Sequence, residues 1–520
     1  MEKSIEQEKV NKNLKLIAKS SLVVFIGVIL SKILTILYRV VVGRHFGPEV
    51  YGVFSLVLMI EGFILAISLL GLSQGLLRQI ALYRGEKQKD KIKYLFKKAS
   101  KVLIISSIIS AFLLFFLSDF IALQIFNNNE LAFFLKIFSF VIPVLIFLEI
   151  LAGIIRAYEK INQYSIIWNI FQSMVKFFLL GLFIILGLSS NAVVFSYILG
   201  IAATFLVAFL YCKYKLPEIF GKYYLEKQIK KKISKKLFSY SWPIIFMSLM
   251  GGIFYWIDSF LIGYFKGVFE VGIYNAAVPI ATLFIITSPL FLNLFFPLMV
   301  KEYANKNFEI IKETSKQIGK WILTINFPVL ILMLLFPGAI INLFFGEEFF
   351  LAANALRFLA IGGIITSIFL VSHNLILMVG KSRTLLWAII ISSILNFLLN
   401  FWLIPKQSIF GIENSLGVNG AALATMISMI AYNLILMFQA KHYTSIFPLR
   451  RKMLKIVLAT IVPMLILIFL RQLFPITLAS AILFGIFFLL TYVLFVFITG
   501  CLDKNDLMII KTIQQRFKKK

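Results

Sequence analysis

The sequence predicts an all-α protein that crosses a membrane about fourteen times. Hydrophobic residues make up 60% of its 520 residues and charged residues only 14%, a composition outside the range of soluble globular proteins. Apolar runs of about 20 residues, long enough to span a bilayer as a helix, recur along the whole chain. They begin at about residues 20, 51, 102, 131, 164, 190, 240, 271, 318, 356, 385, 417, 453 and 478.

The distribution of cations predicts the orientation of these spans. With the N-terminus in the cytoplasm, the cytoplasmic segments hold 43 of the 52 Lys and Arg residues and the outer segments hold only four. This bias is typical of the positive-inside rule, and it predicts a multi-pass protein of the plasma or inner membrane with both termini in the cytoplasm. The net charge of +29 is therefore explained by topology and by membrane lipids, and no nucleic-acid partner is expected.

The sequence contains no pattern typical of catalysis or of a metal centre. Cys212 and Cys501 lie at predicted cytoplasmic helix ends and indicate neither a disulfide framework nor a zinc site. Metalloprotease, phosphate-loop and serine-hydrolase motifs do not occur, and the outer connections are too short for a catalytic domain. We therefore expect no enzyme, cofactor or metal, and the sequence leaves coupling to Na⁺ or H⁺ open.

A glycine pattern in the turn after the first span recurs after the seventh span. Its members keep a constant offset of 220 residues and are Gly43, Gly47, Gly52, Gly263, Gly267 and Gly272. An even number of spans separates the two copies, which predicts parallel repeats with the same orientation in the membrane, as in some transporters. These glycines allow a tight turn with positive φ, and a hinge that closes the outer mouth is the functional alternative.

The repeat predicts two six-helix lobes followed by two further helices. The predicted segments are a cytoplasmic N-terminal segment 1–19, an N-terminal lobe 20–212, a basic cytoplasmic linker 213–239, a C-terminal lobe 240–440, helices 13 and 14 within 441–499, and a basic cytoplasmic tail 500–520. The linker and the tail carry the runs KQIKKKISKK and QQRFKKK, which suit the anionic headgroups of the cytoplasmic leaflet.

Several charged residues fall inside predicted spans. A charge at the centre of a membrane helix costs roughly 2.5 to 3.5 kcal/mol on insertion scales, so it usually faces a partner or a cavity. Lys32, Glu61 and Lys176 lie near mid-membrane, and Asp258 lies within the seventh span. Charges near the outer ends of spans are expected to reach the interface by snorkelling, and these are Asp119, Lys136 and Arg357.

The first span carries a polar stripe. Lys32 and Arg39 are seven residues apart, which places them within about 20° on one face of a helix. Ser31, Thr35 and Tyr38 fall on or beside that face. Ammonium and guanidinium groups so placed suit an anionic ligand, although Lys32 paired with Glu61 as a simple lock between helices is the alternative.

The eleventh span offers amides in place of charges. Asn396 and Asn400 are four residues apart and share a face with Ser392. Hydrogen bonding between helices is the default use of such amides in a membrane protein. Contact with sugar hydroxyls is the alternative, so both asparagines are candidate binding residues.

Four segments resemble a known family. The pattern RVVVGRHFGPEVYGVFSLVLMI, followed by LLGLSQGLLRQIALYRGE, resembles the first two helices and the cytoplasmic loop of Wzx-like polysaccharide-biosynthesis flippases. DSFLIGYFKGVFEVGIYNAA resembles the start of the second lobe in that family, and KLFSYSWPIIFMSLM resembles the segment that leads into it. The family belongs to the multidrug/oligosaccharidyl-lipid/polysaccharide (MOP) exporter superfamily.

The resemblance implies two six-helix lobes in a V around a central cavity, with two more helices beside them. It implies alternating access that moves a polyprenyl-phosphate- or diphosphate-linked glycan to the outer leaflet. Lys32 and Arg39 are then the expected phosphate contacts, Lys176 assists, and Glu61 and Asp258 orient these groups or couple to a cation. A glycan polymerase or glycosyltransferases are the expected protein partners.

Three other functions stay open at this point. A drug or organic-cation antiporter of the same superfamily would need a cavity dominated by carboxylates and aromatic rings. A lipid II flippase would differ only in the headgroup of its cargo. A non-transporting scaffold for a glycosyltransferase predicts that neutralising Lys32 and Arg39 leaves activity intact.

Overall fold

A computed structural model describes residues 2–473 and 478–501, and these are helical over most of their length. The α-helices are α1 Glu2–Ser68, α2 Leu72–Gly85, α3 Lys89–Asp119, α4 Asn129–Ser139, α5 Ile142–Ala157, α6 Ile161–Tyr164, α7 Gln172–Ile185, α8 Asn191–Lys215, α9 Lys227–Phe265, α10 Val268–Ala281, α11 Leu283–Ala304, α12 Phe308–Leu335, α13 Pro337–Phe345, α14 Ala353–Met378, α15 Ser382–Leu403, α16 Val418–Thr444, α17 Lys452–Leu473 and α18 Leu478–Ile498.

Shorter elements connect some of these helices. π-helical segments cover Phe120–Ile125 and Ser165–Phe171, and 3₁₀ turns cover Pro217–Phe220 and Glu347–Ala352. Strands β1 Ser408–Ile409 and β2 Ile412–Glu413 form an antiparallel hairpin, in which Ser408 lies opposite Glu413.

Within the described part of the chain, twelve helices are long and apolar enough to cross a membrane, and the bent pair α4 and α5 makes up to thirteen. The apolar part of α1, Ile26–Ser68, has 43 residues and would extend about 65 Å, whereas a bilayer core is about 30 Å thick. Gly47, with φ 81° and ψ 178°, breaks the helical conformation inside it. Divided at this glycine, α1 supplies two of the predicted spans, so the expectation of about fourteen is confirmed.

Local residues explain where several helices begin and end. Leu70 and Gly71, with φ of 50° and 64°, turn the chain between α1 and α2. Asn128 accepts a hydrogen bond from the backbone N–H of Leu131 at 2.8 Å and so caps the start of α4. Pro337 opens α13, where the N–H that proline lacks would have no partner within the helix.

The chain divides into two compact units, and the first comprises residues 1–275 and 397–418. In this unit α2 packs against α5, α7 packs along α8, and α1 contacts α9. Leu72, Leu76 and Ile80 follow one another at four-residue spacing on α2 and are fully buried. That spacing places them on one face, which is the face that α2 presents to its neighbours.

The second unit comprises residues 276–396 and 419–520. Here α12 and α11 pack against α14, and α17 packs against α18. Ile318 and Ile322 of α12 are fully buried in a cluster that also contains Val371 and Leu375 of α14. The predicted lobes and the linker at 213–239 stay predictions, and the predicted tail lies outside the described residues from position 502 onward.

Candidate functional site

The two copies of the glycine turn have similar geometry. Gly47 and Gly267 both have positive φ, 81° and 135°, and a helical segment follows each of them. Gly43 lies in a helical part of α1, and its counterpart Gly263 lies in α9. A Cβ atom on Gly263 would lie 2.8 Å from the ring of Phe126. The turn geometry is thus observed, whereas the hinge stays a prediction.

Gly52 and Gly272 bring the two repeats into direct contact inside the first unit. A Cβ atom on Gly52 would lie 2.0 Å from the carbonyl oxygen of Val268, and one on Gly272 would lie 1.9 Å from that of Pro48. Pro48 and Val268 are themselves 220 residues apart, so the contact is reciprocal. Only glycine permits so close an approach of two backbones.

Four of the predicted charged residues converge around Tyr197 of α8. We call Lys32, Arg39, Glu61, Lys176 and Tyr197 the Tyr197 cluster. The Tyr197 hydroxyl donates a hydrogen bond to Glu61 Oε1 at 3.2 Å, and Lys176 Nζ lies 3.6 Å from the centroid of the Tyr197 ring. The ammonium of Lys176 also interacts through space with the carboxylate of Glu61. The cluster therefore holds three cations and one carboxylate.

Arg39 connects this cluster to the outer turn. It hydrogen-bonds the side chain of Tyr51, and the Tyr51 hydroxyl donates to the backbone carbonyl of Asn275 at 3.0 Å. The charges of Arg39 and Lys32 also interact, as expected from their shared helix face. Among the described residues Lys32 forms no ion pair with Glu61, so the lock allowed by the sequence is not formed.

Hydroxyl groups hold α1 against its neighbours beside the cluster. Ser31 and Ser173 share a hydrogen bond of 2.9 Å between α1 and α7. The Tyr38 hydroxyl donates to the Val193 carbonyl of α8 at 2.9 Å and lies 3.0 Å from Ser196 Oγ. These contacts orient the face of α1 that carries Lys32 and Arg39.

Removing one charge from the Tyr197 cluster is expected to cost more stability than removing two. Breaking a buried ion pair costs roughly 3 to 5 kcal/mol, whereas replacing both members can be neutral. Because Lys176 is half-buried, we expect Glu61→Gln or Lys176→Met alone to lose on the order of 2 kcal/mol, and the double variant less. Thermal unfolding in detergent measures this coupling, and strictly additive losses would contradict it.

Asp258 and Asn400 meet inside the first unit. The buried carboxylate of Asp258 accepts hydrogen bonds from the Tyr274 hydroxyl at 2.5 Å and from Asn400 Nδ2 at 2.7 Å. Asn396 belongs to the second unit and donates to Thr425 Oγ1 at 3.3 Å. Both amides therefore form hydrogen bonds between helices, the default expected from the sequence.

The structure contains polar groups that sequence reasoning missed. Tyr197 organises the charged cluster, and Asn326 in the second unit donates to Ser367 Oγ and Thr287 Oγ1, each at 2.9 Å. Lys320 is fully buried and donates to the Cys501 carbonyl at 3.4 Å. A single polar residue within an apolar helix was the available signal in each case.

The charges predicted to reach the interface also have protein contacts. Lys136 and Asp119 form an ion pair of 2.7 Å, with both side chains partly exposed. Arg357 donates to the carbonyl of Leu334 at 3.0 Å and to Asn354 Oδ1 at 2.5 Å. These side chains combine partial exposure with local partners, so they differ from the Tyr197 cluster.

Comparisons with known proteins give consistent matches. A family model described as polysaccharide biosynthesis protein matches residues 17–301, and the MatE model matches residues 243–402. A Shigella flexneri protein named as an O-antigen transporter is 23% identical over 348 residues, which cover 65% of this chain and 79% of that protein. A Haloferax volcanii protein named as a low-salt glycan biosynthesis flippase, Agl15, is 28% identical over 267 residues, 50% of each chain.

The fold has a close match among solved structures. The lipid II flippase MurJ in an inward closed conformation aligns with a TM-score of 0.70 and 16% identity, covering 91% of this chain and 98% of that chain. The expected fold of a multi-pass membrane exporter of the MOP superfamily is therefore confirmed. Because the first family model matches more than half of the residues, the chain belongs to the polysaccharide biosynthesis protein family.

Proposed function

We propose that this protein moves a polyprenyl-phosphate- or diphosphate-linked glycan from the cytoplasmic to the outer leaflet by alternating access. The observation that carries the proposal is the charge balance of the Tyr197 cluster. Lys32, Arg39 and Lys176 gather there with one carboxylate, Glu61, which leaves an excess of positive charge. An anionic headgroup would neutralise that excess.

Phosphate chemistry fits the types of cation present. A guanidinium group binds phosphate oxygens through two parallel N–H donors, and an ammonium group binds them as a mobile point charge. Lys32 is exposed and Arg39 and Lys176 are half-buried, so all three retain surface for a ligand. In a low-dielectric environment each of these contacts is stronger than the same contact in water.

The relatives support the cargo class. The Shigella protein is named for O-antigen transport and the Haloferax protein for a glycan flippase. We propose the plasma or inner membrane as the location and the cytoplasm for both termini, supported by the distribution of 43 of the 52 cations. A glycan polymerase or glycosyltransferases are the proposed protein partners.

We propose that Glu61 takes part in coupling to Na⁺ or H⁺. Its Oε2 atom is buried and accepts no hydrogen bond from the described residues, while Oε1 accepts one from Tyr197. A carboxylate oxygen in this state has capacity for a proton or for a cation. Asp258 and Asn400, by contrast, are proposed to orient helices α9 and α15 through their mutual hydrogen bond.

Neutralising the cluster is expected to abolish transport. In proteoliposomes with a fluorescent polyprenyl-diphosphate oligosaccharide, we expect Lys32→Ala and Arg39→Ala each to lower the translocation rate at least about tenfold, since each removes a charged contact worth roughly 1.5 to 3 kcal/mol. Arg383→Ala, which removes an exposed cation at the start of α15, is the matched control and should transport normally.

Two outcomes would contradict the proposal. Normal translocation by both variants would favour a cluster that serves structure alone, as the scaffold hypothesis predicts. Failure of the wild type to move any glycan, together with uptake of an organic cation, would favour the antiporter. A diphosphate lipid carrying a peptide-bearing disaccharide, compared with one carrying a plain oligosaccharide, separates the lipid II function.

A further inference from the structure

A stripe of aromatic and polar side chains leads from the predicted cytoplasmic end of the first unit to the Tyr197 cluster. Its members follow at four-residue spacing through α6, the π-helical segment and α7, and they are Tyr164, Trp168, Gln172 and Lys176. All four are half-buried, so each retains surface that a ligand can contact. Lys176 is the end of this stripe that belongs to the proposed phosphate site.

The π-helical segment Ser165–Phe171 keeps the stripe aligned. In a regular α-helix, residues four apart are rotated by about 40°, so a stripe with this spacing would wind around the helix. A π-helical turn contains more residues and rotates the next position back. The rings of Tyr164 and Trp168 are accordingly stacked, with centroids 6.2 Å apart and an interplanar angle of 18°.

Neighbouring helices fix this part of the stripe in place. The guanidinium of Arg156, in the last turn of α5, lies 5.0 Å from the centroid of the Tyr164 ring. A Cβ atom on Gly27 of α1 would lie 2.4 Å from Ser165 Oγ, so the π-helical segment packs closely on the helix that carries Lys32. The two rings therefore form a rigid platform beside the cationic helix.

We propose that Trp168 and Tyr164, together with Gln172, bind the sugar rings that follow the phosphate group of the cargo. The C–H face of a pyranose packs on the negative face of an aromatic ring, and an amide side chain both donates to and accepts from hydroxyl groups. Pockets that combine aromatic walls with few polar groups are typical of small-molecule recognition.

The distances suit this order of groups. Trp168 precedes Lys176 by eight residues, which corresponds to about 12 Å or less along the helix axis. In the cargo class proposed above, the first sugars are joined directly to the phosphate, so a phosphate at Lys176 places them beside Gln172 and Trp168. This inference rests on the proposed function and adds a sugar-binding subsite to it.

The test compares lipids with and without sugar. The purified full chain in nanodiscs is titrated with polyprenyl diphosphate and with the same lipid bearing N-acetylglucosamine, glucose or galactose. The wild type is expected to prefer at least one sugar-bearing lipid, and Trp168→Ala is expected to reduce that preference roughly fivefold to tenfold while its affinity for the bare diphosphate is unchanged.

Two further variants sharpen the test. Trp168→Phe retains an aromatic face and is expected to keep most of the preference, whereas Gln172→Ala is expected to reduce it by a smaller factor. Trp387→Ala on α15 is the matched control, because Trp387 belongs to the second unit and is 62% exposed. It should bind all four lipids as the wild type does.

The outcomes separate this inference from the proposed function. A wild type that binds bare and sugar-bearing lipids equally, or a Trp168→Ala variant that loses affinity for both alike, would overturn the subsite. The second of these results would assign Trp168 to anchoring the helix at the membrane interface. A wild type that binds none of the lipids would overturn the proposed function, and the subsite with it.

Discussion

Gly52→Ala is expected to prevent normal folding of the protein, and Gly272→Ala is expected to have the same effect. The added methyl group would lie 2.0 Å from the Val268 carbonyl in the first variant and 1.9 Å from the Pro48 carbonyl in the second. Both obstacles are backbone atoms, which cannot rotate away as a side chain can. The helices must therefore separate, with the loss of the contacts that surround the crossing.

The consequence should extend from this crossing to the proposed phosphate site. Tyr51 precedes Gly52 directly, accepts a hydrogen bond from Arg39 and donates one to the Asn275 carbonyl at 3.0 Å. Separating the two helices displaces Tyr51 and, with it, the guanidinium of Arg39. Any Gly52→Ala protein that does fold is therefore expected to lose transport.

Detergent-solubilised protein followed by size-exclusion chromatography and thermal unfolding measures this effect. Gly181→Ala and Gly251→Ala are matched controls, because a Cβ atom on either glycine has no neighbour within 4 Å. Both controls lie inside helices, where replacing glycine by alanine stabilises by up to about 1 kcal/mol. Indistinguishable unfolding of Gly52→Ala and these controls would show that the close crossing is not formed.

The double variant provides a second check on the crossing. Once the first methyl group has separated the helices, the second adds little, so the combined loss in Gly52→Ala/Gly272→Ala should be well below the sum of the single losses. Two fully additive losses would indicate that the glycines act at independent places.

Asp258→Ala is expected to be the second most damaging change. It leaves the Tyr274 hydroxyl and the Asn400 amide without the carboxylate that accepts from them at 2.5 Å and 2.7 Å. An unsatisfied buried polar group costs roughly 1 to 3 kcal/mol, so the two together should cost roughly 2 to 6 kcal/mol. The loss is expected in thermal stability and, because α9 and α15 shift, in transport.

Exchanged side chains distinguish the hydrogen bond from the volume of Asp258. Asp258→Asn keeps the shape of the side chain and one acceptor oxygen, so its loss should be smaller than that of Asp258→Ala. Combining Asp258→Asn with Asn400→Asp restores an amide facing a carboxylate and should recover part of the stability. Equal losses for Asp258→Asn and Asp258→Ala, with no recovery in the exchanged pair, would contradict this account.

The candidate site shows where sequence reasoning succeeded. Lys32 and Arg39 were assigned to one helix face from their spacing alone, and their charges do interact. The offset of 220 residues predicted equivalent turns, and Gly47 and Gly267 both have positive φ. Each of these inferences depended on a local rule, either helical periodicity or the conformational freedom of glycine.

The partners of the charged residues were not predictable in the same way. The sequence offered Lys32 as a partner for Glu61, whereas the structure places Tyr197 and Lys176 there. Similarly, Asn396 and Asn400 share a helix face but have partners in different units, Thr425 and Asp258. Which helix lies beside which is a property of packing, and hydropathy carries no information about it.

By itself, the sequence determined that this protein is a bundle of membrane-spanning helices with a cationic first span and two equivalent glycine turns. Those features follow from apolar run length, periodicity and backbone sterics, which act between residues close in the chain. Only the tertiary structure decided that Gly52 and Gly272 cross, that Tyr197 gathers the charges, and that Trp168 stacks on Tyr164. The crossing and the charge cluster join residues more than a hundred positions apart, and the stacking requires a π-helical turn, so all three depend on how whole helices pack.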